Sequence, residues 1–338
     1  MTIPDEFFAR FGQTHFGSGG DVDNFFTTTL RSDFPSWFNA NLANRGAWAG
    51  FMLKGAPGFV DFHAFCGALV AVQSRSLLEV LAYIGIGMNE TGGSFRPVSE
   101  GYNGPKGPHP GICYLFDSYF VAQPNGNGFH KKSYNTSPNR TAGSLFNDEA
   151  FNNAHGTEPL GSQLANTKDA VWNGETYPQG NYPTDGVATE MGYILEADFF
   201  KYRGRGFIQT TFRSGYRPLV SFVQDYAGEQ PVILRYKEQW AGHDPDLICT
   251  TSATADWDTL FQQTGLIVAA AALLTHAKGG GYLPLSSDPA TANGTATGSV
   301  EAMGQRIGGT SSYGEKFLDR VAQMATALVA TAPAVAAQ

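Results

Sequence analysis

Two carboxylates stand ten positions apart in this chain: Glu90 closes an apolar run, and Glu100 follows a Gly92-Gly93 pair and Pro97. Carboxyl groups facing each other across a cleft, one protonated and one ionised, are the minimal apparatus for hydrolysing a glycosidic bond. The first hands a proton to the leaving oxygen, and the second takes one from the attacking water. A carboxyl at the C-terminal end of a helix and partly buried is favoured in its acid form. That is the form a general acid needs. The same two residues read structurally are solvated helix-end carboxylates, and spacing alone does not separate the readings.

The elements that must position them follow from the apolar pattern. From Phe59 to Met88 the chain is largely apolar with helical spacing; Ser76 sits where an N-cap belongs, and Leu77, Leu78, Leu81 and Ile84 share a face. The paired glycines at 92 and 93 should end that helix. A second stretch, Lys201–Arg217, carries four arginines and one lysine in an otherwise acidic chain. Its glycines 204 and 206 predict a tight turn, with Phe207 and Ile208 anchoring it in a core. A short strand over Gly206–Thr211 would then point Gln209 and Thr211 to one face. Further helices are expected at Tyr216–Ala227, Asp256–His276 and Tyr313–Val329. Residues 1–58 read as an N-terminal helix-and-loop extension with phenylalanines at 7, 8, 11, 25 and 26, a possible docking segment. Residues 59–330 read as one domain, and 101–190, rich in Gly, Asn, Pro, Thr and Ser, as a loop-like insertion in it. The expected fold is mainly α, with a small β element.

Composition narrows the function classes. The 338 residues can bury a substantial core. A net charge of −8 speaks against nucleic acid as the principal partner, because phosphate binding needs a basic field. Cys66, Cys113 and Cys249 are odd in number and far apart, the pattern of small buried hydrophobes. The seven histidines show no metal spacing, and no metal or cofactor is expected. The first residues lack the basic and apolar regions of a signal peptide. The apolar run Gly265–Leu274 is too short to span a bilayer, so stable membrane insertion is not expected. Walker A, HExxH and GxSxG motifs do not occur.

Three ordered motifs carry a resemblance. Asn89-Glu90-Thr91-Gly92-Gly93-Ser94-Phe95-Arg96 with Glu100, then Tyr202-Arg203-Gly204-Arg205-Gly206-Phe207-Ile208-Gln209-Thr210-Thr211, are the first two. The third joins Asp244-Pro245-Asp246-Leu247, Arg306-Ile307-Gly308-Gly309 and Asp319-Arg320. Together they resemble glycoside hydrolase family 19, which holds chitinases and lysozyme-like phage endolysins; Phe207 leans toward the endolysins. The resemblance implies a lysozyme-like α+β fold and inverting hydrolysis. Glu90 would be the general acid, Glu100 the base, and Thr211 a holder of the water. Tyr202 and Gln209 would line sugar subsites, with Arg320 a supporting cation close to the carboxylates. The implied substrate is peptidoglycan, or chitin by the same mechanism, and the implied setting is a phage endolysin or virion-associated lysin working at the cell wall.

The chain also departs from the family pattern. Asn89 stands in place of a histidine, and Gly215 and Gly308 stand in place of asparagines that normally meet substrate or water. These losses keep open a catalytically inactive structural protein of a virion or injection apparatus, with virion proteins as partners. A secreted toxin of the same fold is a further reading. Glu190 and Glu196 are substitutes for Glu100 as the base, and Trp172 and Tyr177 are candidates for stacking on sugar rings. The arginines of the second stretch suit either an anionic polymer or pairing with buried carboxylates.

Overall fold

A computed structural model of the chain describes residues 1–53, 55–72, 76–99, 202–279 and 283–333. Glu100, Cys113, Trp172, Tyr177, Glu190, Glu196 and the expected insertion at 101–190 lie outside them. The described residues are mainly helical, as expected, with one two-stranded ribbon among them. The chain divides into two compact units, Met1–Pro97 with Gly265–Gln338, and Val98–Thr264.

In the first unit, α1 (Asp5–Phe11), α2 (Gly19–Leu30) and α3 (Phe34–Asn41) precede a 3-10 turn at Gly46–Trp48. Then come α4 (Gly55–Ala71) and α5 (Leu77–Thr91). The N-terminal segment, expected to be an extension, packs into this unit. Phe7, Phe26, Phe34, Phe38 and Trp48 are all fully buried, in edge-to-face or tilted contact with neighbouring rings. Here the phenylalanines form core. Cys66 joins them without exposed area.

Helix α5 begins and ends as its sequence predicts. Ser76 Oγ accepts from the Glu79 N–H, and the Glu79 carboxylate accepts from the Ser76 N–H, closing a capping box. Gly92 takes the left-handed conformation at φ 59° and returns its N–H to the Met88 carbonyl. Only a residue without Cβ adopts that conformation freely, so the helix stops here. Between the caps every residue from Leu77 to Met88 is buried, on all faces rather than the single face expected. A helix apolar all round belongs inside a core. It leaves the core only at its last turn, where Asn89 is half-buried and Glu90 exposed.

The C-terminal part of this unit holds α10 (Ile267–Gly279), α11 (Pro289–Ala292), α12 (Val300–Gly308) and α13 (Ser311–Thr331). The helix expected over Asp256–His276 is two helices, α9 (Thr254–Gln262) and α10. Consecutive left-handed residues, Gly265 at φ 59° and Leu266 at φ 68°, turn the chain between them. Helix α13 packs against α12, α5 and α1. Arg10 of α1 donates to the carbonyls of Val329, Ala332 and Pro333, covering the C-terminal end of α13.

The second unit contains β1 (Val98–Ser99), β2 (Arg205–Gly206), α6 (Phe212–Asp225), α7 (Pro231–Trp240), α8 (Pro245–Thr251) and α9. The strands pair antiparallel, Val98 with Gly206 and Ser99 with Arg205. The core is aromatic: Tyr202, Tyr216, Trp257 and Trp240 stack edge to face or tilted. Asp244-Pro245 does not lead into the helix at 256 but caps the separate short helix α8, Asp244 Oδ1 accepting from the Asp246 N–H at 2.8 Å. Among the described residues no single helix is long and apolar enough to cross a membrane.

Candidate active site

Glu90 emerges from the buried helix α5 and meets α13. Its Oε1 accepts from the Tyr313 hydroxyl at 2.6 Å and from Asn89 Nδ2 at 2.5 Å. Asn89 Nδ2 also donates to the Tyr313 oxygen at 2.8 Å, and Arg320 Nη1 donates to Asn89 Oδ1. A chain of donors therefore runs from the guanidinium through the amide and the phenol to one carboxylate oxygen. Each polarised link strengthens the next. Among the described residues Oε2 accepts no hydrogen bond.

The guanidinium is itself held. Its Nε donates to the Ala47 carbonyl at 3.1 Å, and its carbon lies 4.5 Å from the Phe51 ring centroid and 5.5 Å from that of Trp48. The Trp48 indole N–H donates in return to the Arg320 carbonyl. Residues 46–51, which the sequence placed in a docking extension, thus brace the cation behind Glu90. Burial lowers the Arg320 guanidinium, and Tyr313 and Glu90 oppose that effect. Burial raises the Tyr313 phenol far above its ordinary range, and the Glu90 hydrogen bond and charge add to it.

Two corrections concern this cluster. Glu90 is exposed rather than partly buried, because α5 leaves the core one residue earlier. Its Oε1 is held by two donors, one of them backed by the Arg320 cation. Asn89, which looked like the loss of a histidine, is the hub joining Arg320, Tyr313 and Glu90.

Gly308 also has a local reason. A Cβ there would lie 2.0 Å from Tyr313 Cγ, and one on Gly304 would lie 2.5 Å from the Phe317 ring. These glycines, four apart on α12, form a groove that receives two side chains four apart on α13. Tyr313 lies outside the three motifs. The available signal was its seven-residue separation from Arg320, two turns along one helix face, with glycines in the element before it.

The remaining expected site residues belong to the second unit. Tyr202 does not line a subsite: it is fully buried against Tyr216 and Trp257, and its hydroxyl donates to the Cys249 carbonyl. A phenol with its ring and hydroxyl both enclosed is a core element. Gln209 and Thr211 do not alternate on a strand. The strand ends at Gly206, residues 207–209 turn, and Arg205 and Thr210 exchange backbone hydrogen bonds at 3.2 and 2.8 Å. Gln209 closes that turn at φ 51°, costly for a residue with a Cβ. Its amide donates to the carbonyls of Val98 and Gly206, and Gly204 leaves room for its side chain. Thr211 precedes α6, and its hydroxyl donates to the Gln209 carbonyl at 2.7 Å. Phe207 is buried, as expected of an anchor, and Ile208 half-buried.

The arginines of this stretch are committed to the protein. Arg203 Nη2 and Arg205 Nε both donate to Asp258 Oδ1, at 2.7 and 2.8 Å. Arg205 is fully buried and also donates to the Tyr216 hydroxyl, which donates onward to the Arg203 carbonyl. Arg213 donates to the Asp246 carbonyl, and exposed Arg217 pairs with the Asp246 carboxylate. Among the described residues no group of histidine, cysteine or acidic side chains is arranged to hold a metal.

The geometry brings Arg320 to Glu90 and adds Asn89 and Tyr313. No protein-family model, curated protein or solved structure matches the chain.

Proposed function

We propose that the chain is a glycoside hydrolase of lysozyme-like fold that cuts the glycan strands of peptidoglycan by inverting general acid/base catalysis. The observation that carries the reading is the Glu90 carboxyl itself. It is presented to solvent from a rigidly buried helix, with one oxygen held by two donors and the other open. Such a carboxyl is positioned rather than merely solvated, which is what proton delivery to a bound glycoside requires. Glu90 is the acid. Glu100 is the base that activates water on the opposite face of the sugar, an assignment resting on the motif order. Peptidoglycan is preferred to chitin on the endolysin-like Phe207. The arginines of the 201–217 stretch no longer contribute to that preference, since they pair internally.

A second reading, a structural virion protein that has lost activity, is favoured by one set of observations. Tyr202 is enclosed, and the Gln209 amide is spent on backbone carbonyls. The test is loss of turbidity of purified sacculi with wild type and Glu90→Gln, both confirmed folded. Clearing that falls by about 10²-fold or more in the variant supports the hydrolase. A folded wild type that leaves both sacculi and chitin intact transfers the case to the structural protein.

A further inference from the structure

Glu90 Oε1 is shared by two donors of different origin, one from its own helix and one from α13, 223 positions away. The ring that carries the second donor is tightly located. It stacks on Phe317 with centroids 6.5 Å apart and fills the space left by Gly308. Such fixing is more than a surface carboxylate needs for solubility, and it leaves the two oxygens unequal.

We propose that Tyr313 is a positioning residue for the Glu90 carboxyl: its hydroxyl and the Asn89 amide together hold Oε1, so that Oε2 is the oxygen that carries and releases the proton. The proton-transfer half of this statement rests on the hydrolase reading; the Tyr313–Glu90 bond does not. In the step, the O–H bond at Oε2 breaks as the glycosidic oxygen takes the proton. The carbon–oxygen bond to that leaving group breaks with its electron pair, and water, losing its proton to the general base of the hydrolase reading, supplies the new oxygen. The charge left on Glu90 spreads onto Oε1, where the phenol and amide donate to it. Donors already in place there stabilise the transition state without reorganising. Among the described residues, Tyr313 and Arg320, both on α13, are the titratable groups facing Glu90. Asn89 is neutral, and on α12 Gly308 abuts the Tyr313 ring.

The first test is Tyr313→Phe, which keeps the ring on Phe317 and removes the donor. With soluble glycan fragments, kcat should fall about tenfold to a hundredfold while KM stays within about twofold. An active wild type whose Tyr313→Phe variant matches it in kcat overturns the proposal. The second test needs no substrate: the carbon-13 Cζ resonance of Tyr313 at neutral pH in wild type and Glu90→Gln. Removing the charged acceptor of the Tyr313 hydroxyl should shift that resonance. A Tyr313 resonance untouched by Glu90→Gln also overturns the proposal. Failure of the wild type to clear any glycan sinks the hydrolase reading alone, since the tyrosine resonance reads the pair directly.

Discussion

Gly308→Ala is the sharpest test of how this site is built, because two physical effects assign it opposite signs. Gly308 is the last residue of α12, and its backbone does not occupy the left-handed region. On helix propensity alone, alanine should stabilise by up to about 1 kcal/mol. The added Cβ, however, would lie 2.0 Å from Tyr313 Cγ and 2.3 and 2.5 Å from its two Cδ atoms. Ordinary carbon contacts begin near about 3.5 Å, so the ring must retreat by roughly 1.5 Å. Cγ lies close to the backbone, and no distal bond can absorb that movement. Either Tyr313 leaves its rotamer well or α13 lifts from α12. Overpacking of this kind costs about 1–3 kcal/mol, and the lost hydrogen bond to Glu90 adds about 1 kcal/mol. The net expectation is a destabilisation of about 2 kcal/mol, read as a lower urea midpoint at unchanged slope. Combining it with Tyr313→Ala should recover part of that loss, because the clash has lost its partner. Gly309→Ala is the control: its φ is 74° and nothing lies within 4 Å of the added Cβ. It should destabilise through the backbone alone and leave the Tyr313 resonance in place. A Gly308→Ala protein as stable as wild type, with Tyr313 unmoved, refutes the groove argument.

Three further outcomes are expected. Asp258→Ala strips the carboxylate from buried Arg203 and Arg205 and should cost about 3 kcal/mol or more in chemical denaturation; a loss near zero would show that the guanidiniums do not depend on it. Ser76→Ala removes half of the α5 capping box and should cost about 1 kcal/mol, with faster amide exchange confined to the first turn of α5. His276 is held below its ordinary range chiefly by burial, so the unfolded chain binds its proton first as pH falls. Its contribution is complete above about pH 6.5 and is lost as pH drops toward the depressed folded value. Urea midpoints for His276→Gln should therefore change less than those of wild type between pH 7.5 and pH 5.

Helix α5 was legible because its signals are local. A serine three residues before a glutamate and a glycine after the last apolar turn set both ends within one turn of chain. The place of Glu90 at the end of that helix was legible for the same reason, but its exposure was not. The strand expected at Gly206–Thr211 was not, because alternation of residue types does not decide between a strand and a tight turn. Pairing with Val98 and the left-handed Gln209 decided it. The clustered arginines announced charge but not direction. Only Asp258, 53 and 55 positions away, turned Arg205 and Arg203 inward. Tyr313 and Arg320 lie more than two hundred positions from Glu90, and no periodicity in either segment names its partner. That choice belongs to the packing of α13 on α5 and on the glycine groove of α12. The sequence by itself thus determined the helix ends and the chemistry on offer, through interactions between near neighbours. The tertiary structure decided which side chains are spent in the core and which meet at Glu90, because close packing and burial of charge act between residues that only the folded chain brings together.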